Sequence, residues 1–195
     1  KQKGYAIIIS EHNISYLEDI FDKMLYLYND GRYFVCSSIE FKNNDFEFKN
    51  RIRVKNRLSK KIKTYKSEIE TIKIIDLNYT VDDYQIFENL QFTAHQANII
   101  GIIGENGCGK TTLLKIIAGM ININSGRLIR NGIISYIDQD PDKLIYANTV
   151  ENEINFENKY SATQILTILK NLGIEYLINR NPFELSIGEK HRVAL

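Results

Sequence analysis

The 195-residue sequence has no tryptophan, two prolines and two cysteines, and its formal net charge is only +1. Cys36 and Cys108 are too few for the disulfide framework of a small secreted domain, and they lack the spacing of a zinc site. A near-neutral charge gives no general affinity for a polyanion. No apolar run approaches the roughly 18 residues of a membrane span, and no charged-then-apolar leader begins the sequence. We therefore expect a protein of the reducing cytoplasm rather than a secreted or membrane-embedded one.

The charge that is present is unevenly distributed. Residues 49–66 contain nine basic residues and no acidic one, within a chain whose 44% hydrophobic content is sufficient for one or two domains. We interpret the stretch mainly as a solvated linker, with contact to an anionic membrane surface or to a nucleic acid as alternatives. RNA contact would favour interleaved aromatic residues, and Tyr65 is the one aromatic residue in this stretch. No stable nucleic-acid partner is expected.

Residues 98–119 hold the strongest functional pattern. The isoleucine-rich run 99–103 predicts a buried strand, which breaks at Gly104 into a glycine-rich turn. Lys110 then opens a segment with apolar residues at helical spacing, and Gly119 ends it. Strand, glycine loop and helix in this order are typical of a phosphate-binding loop.

The residue types of this loop fit a bound nucleotide. Glycines let backbone N–H groups surround an anion, and the helix N-terminus adds partial positive charge. Lys110 would reach the β and γ phosphates, and the Thr111 hydroxyl would bind Mg²⁺. The positive surroundings would lower the thiol pKa of Cys108, although a small loop residue with no redox role is the simpler interpretation. The predicted contacts are Gly104, Asn106, Gly107, Cys108, Gly109, Lys110, Thr111 and Thr112.

The N-terminal residues predict a strand, a helix and a hairpin. Residues 5–10 have a buried-strand pattern, a capping box at 15–18 opens a helix of about ten residues that includes Met24, and strands 25–28 and 32–35 flank an Asn-Asp-Gly turn. With His12 after the first strand, this order resembles the switch-histidine segment of ABC-type ATPases. The resemblance implies that His12 contacts the γ-phosphate; a histidine satisfied by ordinary polar contacts is the alternative.

The residues before the phosphate loop predict short strands at 72–79, 85–87 and 90–92. ABC ATPases have an antiparallel subdomain in this position, and one of its aromatic residues stacks on the adenine. By this resemblance Tyr79 is the stacking residue. A half-buried strand tyrosine is the structural alternative.

The residues after the loop predict a polar turn at 122–126 and a strand at 132–137 that ends at Asp138-Gln139. This segment resembles the family's Q-loop, which implies that Gln139 touches Mg²⁺ and the attacking water and couples them to a transmembrane partner. The continuation, residues 142–156, looks most like the energy-coupling-factor and cobalt-importer branch.

Residues 161–179 predict a helix that starts at a capping box, and Asn181-Pro182 ends it. Residues 183–195 resemble the ABC signature, with Ile187 where a first glycine is usual. The resemblance implies that Ser186, Gly188 and Glu189 meet the γ-phosphate bound on the opposite domain. The alternative is an ordinary helix start in which Glu189 reaches back to Ser186.

The order of these motifs indicates two pieces of a tandem protein. Residues 1–36 would end a first ABC domain, 37–70 would form the basic linker, and 71–195 would begin a second domain as far as the signature. The expected fold is α/β, a P-loop NTPase with an antiparallel β subdomain and an α-helical signature subdomain, and incomplete. We expect residues 5–10 to lie beside the phosphate-loop strand, within one chain or by exchange between two.

The resemblance implies an ATP-binding and ATP-hydrolysing subunit of an ABC-type importer, peripheral on the inner face of a membrane. Its cofactors would be ATP and Mg²⁺, and its partners a second ABC domain and a transmembrane coupling protein. Because the catalytic Asp-Glu strand is not among these residues, we expect this chain alone to bind MgATP weakly and hydrolyse almost none. The alternatives are a soluble twin-domain ABC ATPase acting on ribosomes or nucleic acid, and an inactive fragment.

Overall fold

The computed structural model describes residues 5–11, 20–43 and 67–195. The chain divides into two compact units, one up to Ile134 and the other from Ser135 onward. In chain order the described residues form strands β1 (Ile7–Glu11), β2 (Lys23–Leu27), β3 (Tyr33–Ser37), β4 (Glu70–Val81), β5 (Tyr84–His95), β6 (Ile99–Gly104) and β7 (Ser125–Arg130), and helices α1 (Ser38–Asn43), α2 (Lys110–Ala118), α3 (Val150–Ile154), α4 (Ala162–Leu172) and α5 (Ile187–Val193).

The phosphate-loop strand β6 lies inside a four-stranded sheet of order β1-β6-β2-β3. It pairs in parallel with β1 on one side and with β2 on the other, so that Ile7 is opposite Ile99 and Lys23 is opposite Ile100. Side chains on both faces of β6 are buried, as in the central strand of a parallel sheet. The expected position of the N-terminal strand beside the phosphate-loop strand, within one chain, is confirmed.

The predicted hairpin is also confirmed, because β2 and β3 pair antiparallel around a turn in which Gly31 has φ +85°. The prediction that the N-terminal helix extends to Met24 is wrong. Met24 lies in β2, fully buried, opposite Gly101 of β6 and Cys36 of β3. The predicted capping box at 15–18 and His12 lie outside the described residues, as does the basic stretch 49–66. Helix α1 occupies the beginning of the predicted linker.

A second sheet, of order β5-β4-β7, is antiparallel and confirms the predicted β subdomain. Strands β4 and β5 each run for 12 residues and join at Asp82-Asp83, whose φ angles of 45° and 64° suit a two-residue hairpin. The interpretation of 85–87 and 90–92 as separate strands is wrong. They are one strand, which continues through Asn89 at φ 47°.

Two predictions after the loop helix are also wrong. Strand β7 occupies Ser125–Arg130, where a polar turn was expected to include Ser125-Gly126, because its backbone pairs with β4. Residues 132–137 form no strand. A strand needs a hydrogen-bonded neighbour, and within the described residues this segment has no ladder partner. Ile133 there is fully exposed.

The second unit is built on helices α3, α4 and α5. Helix α4 begins at the predicted capping box, in which the Ser161 N–H donates to Gln164 Oε1 at 2.9 Å. It ends at Leu172 instead of continuing to 179, because Gly173 adopts φ +65° and caps it. The buried side chains that join the three helices are Val150, Ile165, Leu169, Ile174 and Val193. Among the residues that the structure describes, no helix is both long and apolar enough to cross a bilayer.

Candidate nucleotide-binding site

The phosphate loop leaves the sheet at the carboxyl end of β6, which lies between the carboxyl ends of β1 and β2. The strand register places Glu11, the last residue of β1, beside Ile103, and Leu27, the last residue of β2, beside Gly104. Ligands of open parallel sheets bind outside the carboxyl ends of neighbouring strands. The fold therefore places the loop at the edge of the sheet where a ligand is expected.

Two glycines fix the path of the loop against the core. A Cβ atom on Gly104 would clash with the Leu27 carbonyl oxygen. A Cβ atom on Gly109 would lie 2.6 Å from Ile86 Cγ2 and 2.9 Å from Phe87 Cζ, in a residue whose φ is +95°. These positions accept no side chain without rearrangement, which leaves the loop backbone bare.

Lys110 holds its amine against the loop. Its Nζ donates to the carbonyl oxygens of Gly104 at 2.8 Å and Glu105 at 2.7 Å. An ammonium group has three N–H donors, and the third donates to the weak acceptor Cys108 Sγ at 3.9 Å, which a phosphate oxygen can replace. The amine is therefore already at the loop before a nucleotide arrives.

The remaining predicted contacts of the loop lie within a few residues of Lys110 in the sequence. Asn106, Gly107 and Thr111 are exposed, and Thr112 is half-buried. Helix α2 begins at Lys110 with no acidic residue in its first turn to offset its positive end. Bare backbone, a lysine amine and a helix N-terminus are the groups that hold a phosphate chain. The residues present therefore fit the phosphate chain of a nucleoside triphosphate.

Cys108 does not have the activated thiol that positive surroundings would give. Its side chain is buried, and this burial raises the thiol pKa by more than the neighbouring Lys110 amine lowers it. The interpretation of Cys108 as a small loop residue is the one that the structure supports.

Tyr79 lies half-buried on β4 and packs on the core that supports the loop. Its ring centroid is 6.4 Å from that of Phe87, and the Phe87 ring is the one that borders Gly109. A chain of contacts thus joins Tyr79 to the loop through Phe87. The predicted adenine-stacking role is compatible with this place and stays a prediction.

Apart from His12, which lies outside the described residues, the other predicted residues lie in the second unit. The Ser186 N–H and hydroxyl donate to Glu189 Oε2 at 3.0 and 2.6 Å, and the Tyr176 hydroxyl donates to Glu189 Oε1 at 2.9 Å. The hydrogen bond from the Ser186 hydroxyl is the main reason that the pKa of Glu189 is lowered. Gly188 has open space beside its backbone, and the Ile187 side chain is 70% exposed.

Gln139 is exposed, and its backbone carbonyl lies 3.1 Å from Nε2 of His191. Sequence reasoning did not identify His191 or its neighbour Lys190, whose amine pairs with Asp142 at 2.7 Å. The available signal was charge: three aspartates at 138, 140 and 142 precede a signature helix that ends in basic residues.

A model of the family described as ABC transporter matches residues 87–195, more than half of the chain. The chain belongs to the ABC transporter family. The match includes the phosphate loop, Gln139 and the signature residues. Membership implies nucleotide binding, and the observed α/β architecture with its antiparallel sheet and helical unit is the ABC ATPase fold, as predicted.

Three known proteins illustrate the similarity of this ABC transporter chain. The zinc import ATP-binding protein ZnuC of Vibrio vulnificus is 36% identical over 64% of the chain and 49% of its own length. A putative ABC transporter ATP-binding protein of Sulfurisphaera tokodaii is 29% identical over 97% of the chain and 43% of its own length. The structure of CbiO1 from Clostridium perfringens, part of the transporter complex CbiONQ, has a TM-score of 0.53 at 28% identity, over 65% of this chain and 60% of CbiO1. The chain thus spans less than half of either curated relative.

Proposed function

We propose that these residues are part of an ATP-binding and ATP-hydrolysing subunit that energises an ABC-type membrane importer. The observation that carries the proposal is the loop at the end of β6, where bare glycine backbone and the Lys110 amine lie together. The importer direction is supported by similarity to a zinc import protein, and the transporter role by similarity to a component of the CbiONQ transporter complex. The partners would be a second ABC domain and a transmembrane coupling protein, with the subunit on the inner face of the membrane.

We further propose the tandem arrangement: residues 1–36 end a first domain, 37–70 link, and 71–195 begin a second. The Sulfurisphaera tokodaii relative supports this arrangement, since 97% of the chain aligns to a continuous part of one longer protein. The alignment to that relative includes residues from both of the proposed pieces.

The proposed roles of the residues follow from the loop and from the family resemblance. Mg²⁺, when bound, would neutralise charge on the β and γ phosphate oxygens. The Lys110 amine and the loop backbone would hold the phosphates, and the Thr111 hydroxyl would hold the metal. The role of Gln139 on the metal is proposed from the family resemblance alone. The roles proposed from resemblance alone are those of Tyr79 on the adenine, His12 on the γ-phosphate, and Ser186, Gly188 and Glu189 on the γ-phosphate of the paired domain.

The signature contacts add a requirement to this proposal. The Ser186 hydroxyl donates to Glu189, so a phosphate oxygen must replace that carboxylate as the acceptor. Glu189 would be held in place meanwhile by its two other hydrogen bonds, from the Ser186 N–H and the Tyr176 hydroxyl.

The test is titration of the chain with ribose-labelled fluorescent ATP and Mg²⁺. We expect Lys110→Ala to weaken binding about 10- to 150-fold, because a hydrogen bond to a charged group contributes roughly 1.5–3 kcal/mol. Lys115→Ala, at the last turn of the same helix, is the matched control and should bind as the parent chain does. Equal affinity of the Lys110 and Lys115 variants would refute the proposed site.

The transport role needs a separate measurement. Copurification of the protein from its source with a multispan membrane protein would support it. Cosedimentation with ribosomes instead would favour the alternative of a twin-domain ATPase acting on ribosomes or nucleic acid.

A further inference from the structure

Two side-chain contacts tie the loop around Gln139 to the signature helix α5. Nε2 of His191 lies 3.1 Å from the Gln139 carbonyl oxygen, and Lys190 Nζ donates to Asp142 Oδ1 at 2.7 Å. A carbonyl oxygen can only accept a hydrogen bond, so Nε2 of His191 carries the proton. Both contacts join residues about 50 positions apart in the sequence.

The loop is also braced internally. Asp138 accepts hydrogen bonds from the Tyr136 hydroxyl at 3.3 Å and from the Asp140 N–H at 3.1 Å. Asp140 in turn accepts from the Asp142 N–H at 3.2 Å. Because each aspartate fixes the backbone of the next, the segment that contains Gln139 is positioned as one piece by its contacts to α5.

Helix α5 is itself held in place by other contacts, so it can fix the position of the segment that contains Gln139. Val193 is buried in the core of the second unit, and the Arg192 guanidinium lies 3.5 Å from the carbonyl oxygens of Leu172 and Gly173 at the end of α4. The Lys190 side chain is only 12% exposed. Solvent and salt therefore screen its ion pair less than they would screen a fully solvated pair.

We infer that Lys190 and His191 are positioning residues that hold Gln139 at a fixed distance from Ser186. Their contacts make the Q-loop and the signature one mechanical body within the second unit. This inference rests on the proposed function, in which Gln139 and Ser186 each serve a bound γ-phosphate. A phosphate that engages the signature would then also set the position of Gln139.

The first test does not depend on ATP hydrolysis. Amide hydrogen exchange is measured on the 195-residue chain and on the variants His191→Ala and Lys190→Ala. We expect exchange at the amides of Asp140 and Asp142 to rise roughly three- to tenfold in both variants, while exchange in α2 stays unchanged. His191→Gln should restore slow exchange, since a side-chain amide can also donate to the Gln139 carbonyl.

Lys159→Ala is the matched control. Lys159 lies in the same unit and forms its ion pair with Glu157 instead of a motif residue. This variant should exchange as the parent chain does. Unchanged exchange at Asp140 and Asp142 in both test variants, or an equal rise in the control, would overturn the inference.

The second test measures ATP turnover by the complete protein that carries these residues. In His191→Ala and Lys190→Ala, the loss of a fixed position for Gln139 should lower kcat about three- to tenfold and change KM less than about twofold. A rise in KM with kcat unchanged would overturn the positioning role. If the parent protein turns over no ATP, the proposed function fails, and the exchange experiment still decides the inference.

Discussion

Gly109 and Gly107 provide a matched pair for testing how the loop is supported. Both have positive φ, +95° and +88°, so an alanine at either position costs roughly 1–2 kcal/mol for the left-handed backbone. They differ in their surroundings. A Cβ on Gly109 would meet Ile86 and Phe87 at under 3 Å, and nothing lies within 4 Å of one on Gly107.

This difference in surroundings predicts how much each substitution lowers the free energy of unfolding. Phe87 is fully buried, and the contacting Cγ2 methyl of Ile86 is attached directly to the branched Cβ, so neither side chain can move aside at low cost. Overpacking adds roughly 1–3 kcal/mol. Gly109→Ala should therefore lower the free energy of unfolding by about 2–5 kcal/mol, against about 1–2 kcal/mol for Gly107→Ala.

The assay is urea unfolding followed by far-ultraviolet circular dichroism, since the chain has no tryptophan to report by fluorescence. The ATP titration described above gives the second readout. Equal losses of stability in the two variants, or a larger loss for Gly107→Ala, would refute the packing of the loop against Phe87.

Three further predictions follow from the described contacts. Tyr79→Ala should weaken ATP binding about 5- to 150-fold, since stacking of a base on an aromatic ring contributes roughly 1–3 kcal/mol, and Tyr79→Phe should bind as the parent does; equal binding by both variants would contradict the stacking role. The Arg130 guanidinium donates to the Ile117 and Ile116 carbonyl oxygens at 2.7 and 2.8 Å at the end of α2. Arg130→Lys should therefore lower the free energy of unfolding by about 1–2 kcal/mol in urea, while Arg127→Lys on the same strand should leave it unchanged. Because burial raises the thiol pKa of Cys108, the unfolded thiol ionises first, and stability should fall as the pH rises past the ordinary thiol pKa of about 8.5. Cys108→Ala should reduce that fall in urea unfolding at pH 7 and pH 10, and an unchanged fall would contradict the buried state of the thiol.

The features predicted correctly from sequence are those whose signals are local. The strand, glycine loop and helix of the phosphate loop lie within residues 98–119, where Gly107 and Gly119 adopt the positive φ of their own turns. The hairpin at Gly31 and the capping box at Ser161 are equally local. Neighbouring residues were sufficient to predict all three.

Several of the errors concern residues whose partners lie far away in the sequence. Met24 has helical spacing from its apolar neighbours, yet β2 is buried on both faces and pairs with β6, which follows much later in the sequence. Continuous apolar runs are typical of such central strands and carry no period. Ile133 shows the converse, because a strand-like sequence without a ladder partner stays exposed. The contact of His191 with Gln139 could not be predicted, since it depends on how α5 packs.

The placement of β6 between β1 and β2 has a consequence for how the chain assembles. Pairs such as Ile7 with Ile99 join residues about 90 positions apart, and contacts this distant make folding slow. At a synthesis rate of about 5–20 residues per second, β1 and β2 leave the ribosome roughly 4–18 seconds before β6 is available to join them. Within these 195 residues their apolar surfaces stay open during that interval, which makes early binding of a chaperone to β1 and β2 valuable for yield.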